Sequence, residues 1–511
     1  MKEMRNMKIL RAVAVAAAVI GAFSIQSMDA RELVIIQTND THSQIDPTDK
    51  GYGGVQRRKV FVDSVRAARP DVLLVDAGDA VQGTLFFTLY GGEVEMKAMN
   101  ALGYDIAILG NHDFDNGMGK MARNVGMSDA TWLASNYKFA DQEVAGLFKP
   151  YKVYDYDGKK VGFLALNLDP EGMIAQGNAD GVEYLDAVDA ANATAWWLKN
   201  REGADLVVAV SHLGYENVPS PSDRDIVAAT KDIDIVLGGH SHTLLSPGSG
   251  REWVVNAKGD SVLVTQNAKS GEYVTEVTVD LDSLTSKLPA YRQVRLGKSY
   301  DRTVDSGLTE MIAPYRKGVD ELMGKVIGKS ARELPNDRPG LLNFVSDFVD
   351  ARGSQLLRRP VDLAMMNVGS LRRGLPKGDI TQGMIISMQP FTNKILVMEL
   401  SGKNLVEAMD VYASRGGDGV SSQVKATFDP ATGKVVDLTV DGKPVDPDRT
   451  YTVATIDYLA GGGDYMVPLK RGKIIARSEN IVYDDLIDHI KKNFSRKKIN
   501  PSDEARFLPV K

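Results

Sequence analysis

The chain has 511 residues, 43% of them hydrophobic and 25% charged, with a formal net charge of −6. This length predicts about two to four domains with a sizeable core, and without a positive surplus a nucleic acid polymer is not expected as a partner. The complete lack of cysteine excludes disulfide bonds, thiolate metal sites and lipid attachment to cysteine.

The first 30 residues have the pattern of an export signal. Four basic residues precede a short apolar stretch, residues 12–20, and small residues such as Ala30 follow it. The stretch is short for a membrane-spanning helix, although an uncleaved membrane anchor is the alternative interpretation. We therefore expect residues 1–30 to be a signal peptide, and the mature protein to be periplasmic or secreted without a stable membrane anchor.

Two α/β domains joined by a helix are predicted for the rest of the chain. Residues 31–300 alternate apolar, strand-like runs with helical stretches, as in a layered α/β domain. The spacing then becomes helical, which predicts a linking helix within residues 301–326, followed by a smaller α/β domain, residues 327–511. The strand candidates of the second domain are residues 361–365, 395–400 and 451–455, and its helix candidates include residues 343–352 and 480–493.

Short polar motifs follow five apolar runs of the first domain and contain five of the six histidines. In open α/β sheets, sites form beyond the carboxyl ends of the strands, so these motifs are expected to meet in space. The motifs are Asp40-Thr-His42 after residues 33–36, Gly78-Asp79 after 72–75, Gly110-Asn-His-Asp113 after 106–109, Ser211-His212 after 206–210, and Gly238-Gly-His-Ser-His242 after 235–237.

Carboxylate, amide and imidazole groups at these positions predict two divalent metal ions, such as Zn or Mn. Two ions about 3.5–4 Å apart can share a bridging carboxylate and a bridging hydroxide, because metal binding lowers the pKa of water to about 7. Asp79 is the predicted bridge. The predicted ligands of one ion are Asp40, His42 and His242, and those of the other are Asn111, His212 and His240. Taken singly, the two aspartates and Asn111 also fit turn or helix-capping positions.

Together these motifs resemble those of the calcineurin-like metallophosphoesterases and, more closely, of the 5′-nucleotidase family, which includes periplasmic UDP-sugar hydrolases and animal ecto-5′-nucleotidases. The resemblance implies a four-layer α/β/β/α catalytic domain with the same metal ligands. It also implies a catalytic pair, His112 and Asp115. The imidazole would stabilise charge on the phosphoryl oxygens, and the carboxylate would fix its tautomer. Asp113, between them, is expected to make a structural contact.

The resemblance further implies that the C-terminal domain holds a nucleotide base between two aromatic rings, Phe391 and Tyr458. The family usually has phenylalanine where this chain has Tyr458, and both kinds of ring can stack on a base. Asp464 is expected to bind the ribose hydroxyls. Each aromatic residue, taken alone, would also fit a hydrophobic core.

Asn367-Val-Gly-Ser-Leu-Arg372 corresponds to a family motif that is richer in glycine. Asn367 and Arg372 are predicted to contact the substrate, and the forked donors of arginine suit a phosphate. An ion pair with a surface carboxylate is the alternative for Arg372. The family has a second substrate arginine shortly before the position of Asn343, and Arg338 is predicted for that role.

The expected protein is an exported enzyme that cleaves nucleoside 5′-monophosphates to nucleoside and phosphate, with the bridging hydroxide attacking phosphorus in line. The resemblance also implies that the C-terminal domain rotates about the linking helix. Alternatives of the same class are a nucleotide-sugar pyrophosphatase, a 2′,3′-cyclic nucleotide phosphodiesterase and a sulfur-ester hydrolase. The alternative of another class is a nucleotide- or metal-binding surface protein without turnover.

Overall fold

The computed structural model describes residues 31–216, 218, 221–283 and 288–510. The predicted signal peptide, residues 1–30, lies outside the described residues. Among the helices of the described part, none is both long enough and apolar enough to cross a membrane.

The first domain is built on two β-sheets. The seven-stranded sheet contains, in spatial order, Ala290–Arg295, Tyr273–Asp280, Glu32–Thr38, Asp71–Asp76, Ile106–Ile108, Thr131–Leu133 and Phe148–Lys149. The six-stranded sheet contains Trp253–Val255, Ser261–Thr265, Ile235–Leu237, Leu206–His212, Lys159–Asn167 and Tyr151–Tyr156. A separate ribbon pairs Tyr137–Phe139 with Val182–Tyr184.

The two sheets pack face to face over an apolar core. Successive residues of a strand point to opposite faces, so Leu33 and Ile35 lie between the sheets whereas Val34 and Ile36 face the outer helices. The helices on the side of the seven-stranded sheet are Val55–Ala68, Leu85–Tyr90, Glu93–Leu102 and Met118–Met127. Those on the other side are Ala187–Trp197, which continues as Leu198–Glu202, and Asp223–Ala229. This order of layers confirms the predicted α/β/β/α arrangement.

One helix, Ser306–Gly324, connects the two domains. It begins after Asp305, whose side chain accepts a hydrogen bond of 2.7 Å from the backbone N–H of Leu308, as an N-cap residue does. The helix is shorter than the predicted span of residues 301–326, because Lys325 is extended and Val326–Ser330 forms a strand.

The second domain is a mixed α/β unit. Its five-stranded sheet contains Gly419–Val420, Leu363–Met366, Thr450–Ile456, Lys394–Ser401 and Lys473–Ile481, and its four-stranded sheet contains Lys443–Pro444, Lys434–Val440, Val424–Asp429 and Phe507–Pro509. Strand Val326–Ser330 pairs with Gly378–Thr381. The helices are Pro339–Leu357, Gln382–Met388, Gly402–Ser414, Asp457–Ala460 and Val482–Asn493.

Candidate active site

The polar motifs follow parallel strands, three of them adjacent in the seven-stranded sheet and two adjacent in the six-stranded sheet. Thr38 and Asp76 are paired at the ends of adjacent strands, so the loops that follow them leave the sheet side by side. Backbone hydrogen bonds then join these loops: Asp40 N–H donates to the Gly78 carbonyl at 2.9 Å, and His42 N–H donates to the Asp79 carbonyl at 3.0 Å. Both motifs are thereby fixed at one edge of the sheet.

Three of the predicted ligands form a first cluster. The Nε2 atoms of His42 and His242 are 3.0 Å apart, and they lie 3.9 Å and 3.4 Å from Oδ1 of Asp40. Two imidazole nitrogens and a carboxylate oxygen that converge in this way match the donor set of a zinc or manganese ion.

A second cluster surrounds His212, which is fully buried. Its Nδ1 lies 2.7 Å from the Ala77 carbonyl, and a carbonyl can only accept, so Nδ1 carries the proton. The lone pair of the neutral ring is then on Nε2, which has no hydrogen-bond partner and lies 3.2 Å from Oδ2 of Asp79. An outer hydrogen bond of this type orients most histidine ligands of metals.

Asp79 joins the two clusters, since its Oδ2 also lies 4.0 Å from Nε2 of His42. Its other oxygen, Oδ1, accepts a hydrogen bond of 2.9 Å from the backbone N–H of His112. In the remaining predicted pair, Nδ1 of His240 lies 3.0 Å from Oδ1 of Asn111. The structure thus brings all seven predicted ligands together in or beside these two clusters.

The local electrostatics suit cations. Burial opposes ionisation of Asp40, but the hydrogen bond and charge of His242 outweigh it and lower the pKa of Asp40 to about 2. Burial lowers the pKa of His240 to about 3 and keeps that ring neutral. Burial also disfavours a charged His212, but Asp79 outweighs it and raises the pKa of His212 to about 10. A divalent cation would displace this proton, as metals do when they bind a protonated ligand, so the residues fit a metal centre.

Five of these residues have backbone conformations in the left-handed region, which side-chain-bearing residues seldom adopt. Such strain of about 1–3 kcal/mol per residue is typical of functional sites, where the surrounding structure imposes it. The φ angles are 47° for Asp40, 48° for His42, 56° for Asp79, 71° for His240 and 53° for His242.

The predicted catalytic pair lies beside the clusters. Nδ1 of His112 is 3.0 Å from Oδ2 of Asp115, and Nε2 of His112 is 2.7 Å from Nη2 of Arg372, which comes from the second domain. Arginine can only donate, so Nε2 accepts and Nδ1–H donates to Asp115. The predicted role of Asp115 in fixing the tautomer agrees with this geometry. Asp113 instead accepts a hydrogen bond of 2.7 Å from the Gly110 N–H.

A cavity of about 480 Å³ connects the clusters to the second domain. Five of the six predicted substrate residues line it: Asn367, Arg372, Phe391, Tyr458 and Asp464. The guanidinium carbon of Arg372 lies 5.1 Å from the centre of the Phe391 ring, and that ring lies 5.9 Å from the His112 ring. The predicted nucleoside residues and the predicted catalytic pair therefore share one cavity.

Arg338 is not among the residues that line this cavity, so its predicted contact with the substrate stays a prediction. It is exposed and immediately precedes the helix Pro339–Leu357, where its side chain makes no cap hydrogen bond. The cavity instead contains Arg415 and Arg477 in addition to Arg372.

Asp464 is surrounded by protein donors. Its Oδ1 accepts from the Tyr458 hydroxyl at 2.9 Å, and its Oδ2 accepts from Nδ2 of Asn367 at 2.8 Å and from Nη2 of Arg415 at 3.2 Å. The Tyr458 hydroxyl in turn accepts from the backbone N–H of Asp464 at 3.1 Å. Tyr458 and Asp464 therefore form a closed pair of hydrogen bonds.

Sequence reasoning missed several residues of the site. Gln82, three residues after Asp79, has a φ of 68° and a side-chain oxygen 3.4 Å from Nη2 of Arg372. Asn178 lines the cavity and donates to the Asp115 carbonyl at 2.9 Å. Gln82 could have been found from its position in the loop that follows the predicted ligand Asp79, whereas no local sequence pattern marks Asn178.

Comparisons with known proteins agree with the two-domain fold. The family model described as calcineurin-like phosphoesterase matches residues 33–244, and the one described as 5′-nucleotidase, C-terminal domain matches residues 323–471. The 5′-nucleotidase of Vibrio cholerae serotype O1 is 25% identical, and the match covers 94% of this chain and 92% of that protein. The trifunctional nucleotide phosphoesterase protein YfkN of Bacillus subtilis is 26% identical over 94% of this chain, which spans only 35% of that protein.

A solved structure supports the same two-domain fold. The crystal structure of the 5′-nucleotidase precursor from Thermus thermophilus is 28% identical, with a TM-score of 0.83, and the match covers 94% of this chain and 99% of that one. The two family models lie on the two domains in the expected order. The chain therefore belongs to the metal-dependent phosphoester hydrolases in which a calcineurin-like phosphoesterase domain is followed by a 5′-nucleotidase C-terminal domain.

Proposed function

We propose that the protein hydrolyses nucleoside 5′-monophosphates to nucleoside and inorganic phosphate. The observation that carries the proposal is the single cavity of about 480 Å³, in which the metal-ligand clusters and His112 share one space with Phe391 and Tyr458. A phosphate group would fit at the polar end of this cavity, beside the clusters. An aromatic base would fit at the other end, beside the two rings. The 5′-nucleotidases among the related proteins support the same substrate class.

The predicted ligands are Asp40, His42, Asp79, Asn111, His212, His240 and His242, and they would hold two divalent ions such as Zn or Mn. Two such ions would lower the pKa of water and neutralise charge on the phosphoryl oxygens. In the proposed reaction, the attacking water oxygen forms a new bond to phosphorus in line with the leaving nucleoside oxygen, whose bond to phosphorus breaks. The water protons end on the two products.

The protein groups act mainly by positioning and charge stabilisation, as in phosphoryl transfer generally. Arg372 and His112 lie 2.7 Å apart at the cavity wall, where both could donate to non-bridging phosphoryl oxygens once the imidazole is protonated. Asp115 holds the imidazole and favours its positive charge. Donors aimed at developing charge contribute about 10²–10³-fold each to turnover.

We also propose export to the periplasm or the cell exterior. The support is the basic and apolar pattern of residues 1–30. Nucleotides outside the cytoplasm would then be the substrates.

The test is hydrolysis of four substrates by purified mature protein. Inorganic phosphate is measured for AMP, UMP for UDP-glucose, the ring-opened nucleoside monophosphate for 2′,3′-cyclic AMP, and p-nitrophenol for bis(p-nitrophenyl) phosphate. The protein is first stripped with a chelator and then assayed with and without added Zn or Mn. Release from AMP that depends on added metal supports the proposal. Activity restricted to the diester or the sugar nucleotide would contradict the assigned role of the second domain, and no turnover of any substrate would contradict the proposed function.

A further inference from the structure

The nucleoside end of the cavity contains a carboxylate whose hydrogen-bonding needs the protein itself meets. Asp464 accepts three side-chain hydrogen bonds, from Tyr458, Asn367 and Arg415, at 2.8–3.2 Å. An ionised carboxylate offers about four acceptor positions. Its side chain is 14% exposed, so most of the solvation of Asp464 comes from these three protein donors.

The hydroxyl of Tyr458 is central to this arrangement. It donates to Oδ1 of Asp464 and accepts from the Asp464 N–H. Burial, followed by the charge of Asp464, raises the pKa of Tyr458 well above its usual value, so the hydroxyl keeps its proton and remains a donor at neutral pH.

Gly463 holds the Tyr458 ring in place. A Cβ atom at Gly463 would lie 2.6 Å from Cδ2 of the ring, so only glycine permits this close contact of backbone and ring. The ring and the hydroxyl are thus fixed together, and the hydroxyl has little freedom to leave Asp464.

We propose that the Tyr458 hydroxyl takes the place of substrate sugar hydroxyls as a partner of Asp464, so that the enzyme accepts ribo-, deoxyribo- and dideoxyribonucleoside 5′-monophosphates alike. The inference rests on the proposed function. Phenylalanine, the usual residue of the resembling family, has no hydroxyl to offer at this position. Only Asn367 and Arg415 would then remain as side-chain donors, and Oδ1 of Asp464 would gain a partner from the sugar.

The physical reason lies in the cost of an unpaired buried group. A site whose buried polar groups depend on a substrate hydroxyl rejects the analogue without that hydroxyl by about 10⁴–10⁵-fold. A site whose polar groups are already paired loses no hydrogen bond when the hydroxyl is absent, and it discriminates weakly. Because Asp464 already accepts three hydrogen bonds from the protein, we expect this site to discriminate weakly against substrates that lack the sugar hydroxyls.

The experiment compares kcat/KM for AMP and for 2′,3′-dideoxy-AMP, which lacks both sugar hydroxyls. For the unmodified, metal-loaded protein the ratio of the two values is expected to stay below about tenfold. In Tyr458→Phe the aromatic ring remains but the hydroxyl is lost. A sugar hydroxyl can then supply the hydrogen bond that Asp464 has lost, which favours AMP over 2′,3′-dideoxy-AMP. The ratio of their kcat/KM values is therefore expected to rise by about tenfold or more.

Tyr451→Phe is the matched control. Its hydroxyl also accepts a backbone N–H, that of Asp446 at 2.9 Å, in the same domain but outside the cavity lining. Loss of that hydrogen bond changes stability, and the substrate ratio should stay as in the unmodified protein. If Tyr458 had a purely structural role, its replacement would likewise lower kcat/KM equally for both substrates and leave their ratio unchanged.

The outcomes separate the two proposals. A high ratio in the unmodified protein, or the same ratio in Tyr458→Phe, overturns this inference while turnover of AMP upholds the proposed function. The absence of turnover with both nucleotides overturns the proposed function and this inference with it. Isothermal titration with adenosine and 2′,3′-dideoxyadenosine gives an independent readout, with similar affinities expected in the unmodified protein.

Discussion

Asp79 has a separate contact for each of its carboxylate oxygens. Oδ1 accepts the backbone N–H of His112, and Oδ2 lies between Nε2 of His212 and Nε2 of His42. One residue therefore fixes the loop of the predicted catalytic pair and supplies negative charge to both ligand clusters.

Replacement of Asp79 by asparagine separates these two contributions. Asp79→Asn keeps an oxygen for the His112 N–H but removes the negative charge between the clusters. We expect metal affinity and kcat to fall by more than about 100-fold, because the loss of an outer partner of a ligand alone costs about 10–100-fold. Metal content after dialysis and phosphate release from AMP measure the two effects.

Asp113→Asn is the control for that variant. Asp113 is also buried, and burial together with the charge of Asp79 raises its pKa to about 8. An amide still offers an oxygen to the Gly110 N–H, so asparagine is a close replacement. We expect Asp113→Asn to retain its metal, and equal metal loss in both variants would contradict the bridging role of Asp79.

Asp115 provides a second prediction at this scale. In Asp115→Ala, Nδ1 of His112 loses its acceptor, so only the contact with Arg372 still orients the ring and the negative charge that favours the imidazolium is lost. We expect kcat to fall by about 10²-fold or more with unchanged metal content, because Asp115 is not a predicted ligand. Asp115→Asn should retain part of the activity, since an amide oxygen still accepts from Nδ1. A kcat for Asp115→Ala equal to that of the unmodified protein would refute the assigned pair.

At the scale of loops and strands, close backbone approach builds the site. The turn that contains Gly110 passes directly against Asp79, and a Cβ atom at Gly110 would lie 2.6 Å from the Asp79 backbone nitrogen and collide with its carboxylate. The φ of Gly110 is −104°, so space and not backbone conformation requires glycine.

Gly110→Ala is therefore expected to displace Asp79 and to disrupt the metal site. Metal content and turnover should both fall by about 10-fold or more, and stability should fall by about 1–3 kcal/mol from overpacking. Gly119→Ala is the matched control, because nothing lies within 4 Å of a Cβ atom there and the residue is in the helix Met118–Met127. Denaturant unfolding and metal analysis of both variants test the prediction, and normal metal content in Gly110→Ala would contradict it.

The elements that the sequence predicts well are those with strong periodicity. Apolar runs with polar ends mark the strands that carry the ligand motifs, since buried parallel strands need such runs. The strand predicted at residues 395–400 is Lys394–Ser401, and the helix predicted at 343–352 is the longer Pro339–Leu357. Its start at a proline is readable from the sequence, because proline is favoured in the first turn.

Contacts between distant segments could not be read from the sequence. The prediction for Arg338 rests on its distance along the chain from Asn343, but the direction of a side chain just before a helix depends on tertiary packing. Arg415 and Asn178 reach the cavity from loops without a local signal. Two of the three donors of Asp464, Asn367 and Arg415, likewise come from segments distant in sequence.

At the scale of the whole molecule, two adjacent arginines of the second domain contact the first domain in different ways. Arg372 lies 2.7 Å from Nε2 of His112. Arg373 donates to the side-chain oxygen of Gln44 at 3.3 Å and lies 3.6 Å from Oδ1 of the exposed Asp49. The first contact is inside the cavity, and the second is at the surface of the domain boundary.

Substitution of each arginine by alanine should reveal this difference. Exposed ion pairs contribute about 0–1 kcal/mol, so Arg373→Ala is expected to raise KM for AMP by no more than about fivefold. Arg372→Ala removes a donor from the phosphoryl site and is expected to lower kcat/KM by about 10²-fold or more. Steady-state kinetics of the two variants provide the test, and equal losses would contradict the proposed division of roles.

The predicted metal ligands all belong to residues 40–242, whereas the predicted nucleoside-binding residues belong to residues 367–464, and the helix that connects the two domains, Ser306–Gly324, lies between these segments. On the proposed function, bond cleavage depends mainly on the first domain, with Arg372 added from the second, whereas nucleoside recognition depends mainly on the second domain. Substitutions at the nucleoside-binding residues would then alter recognition while the metal ligands stay the same. Such an architecture would allow the substrate range of the protein to change without loss of its metal site.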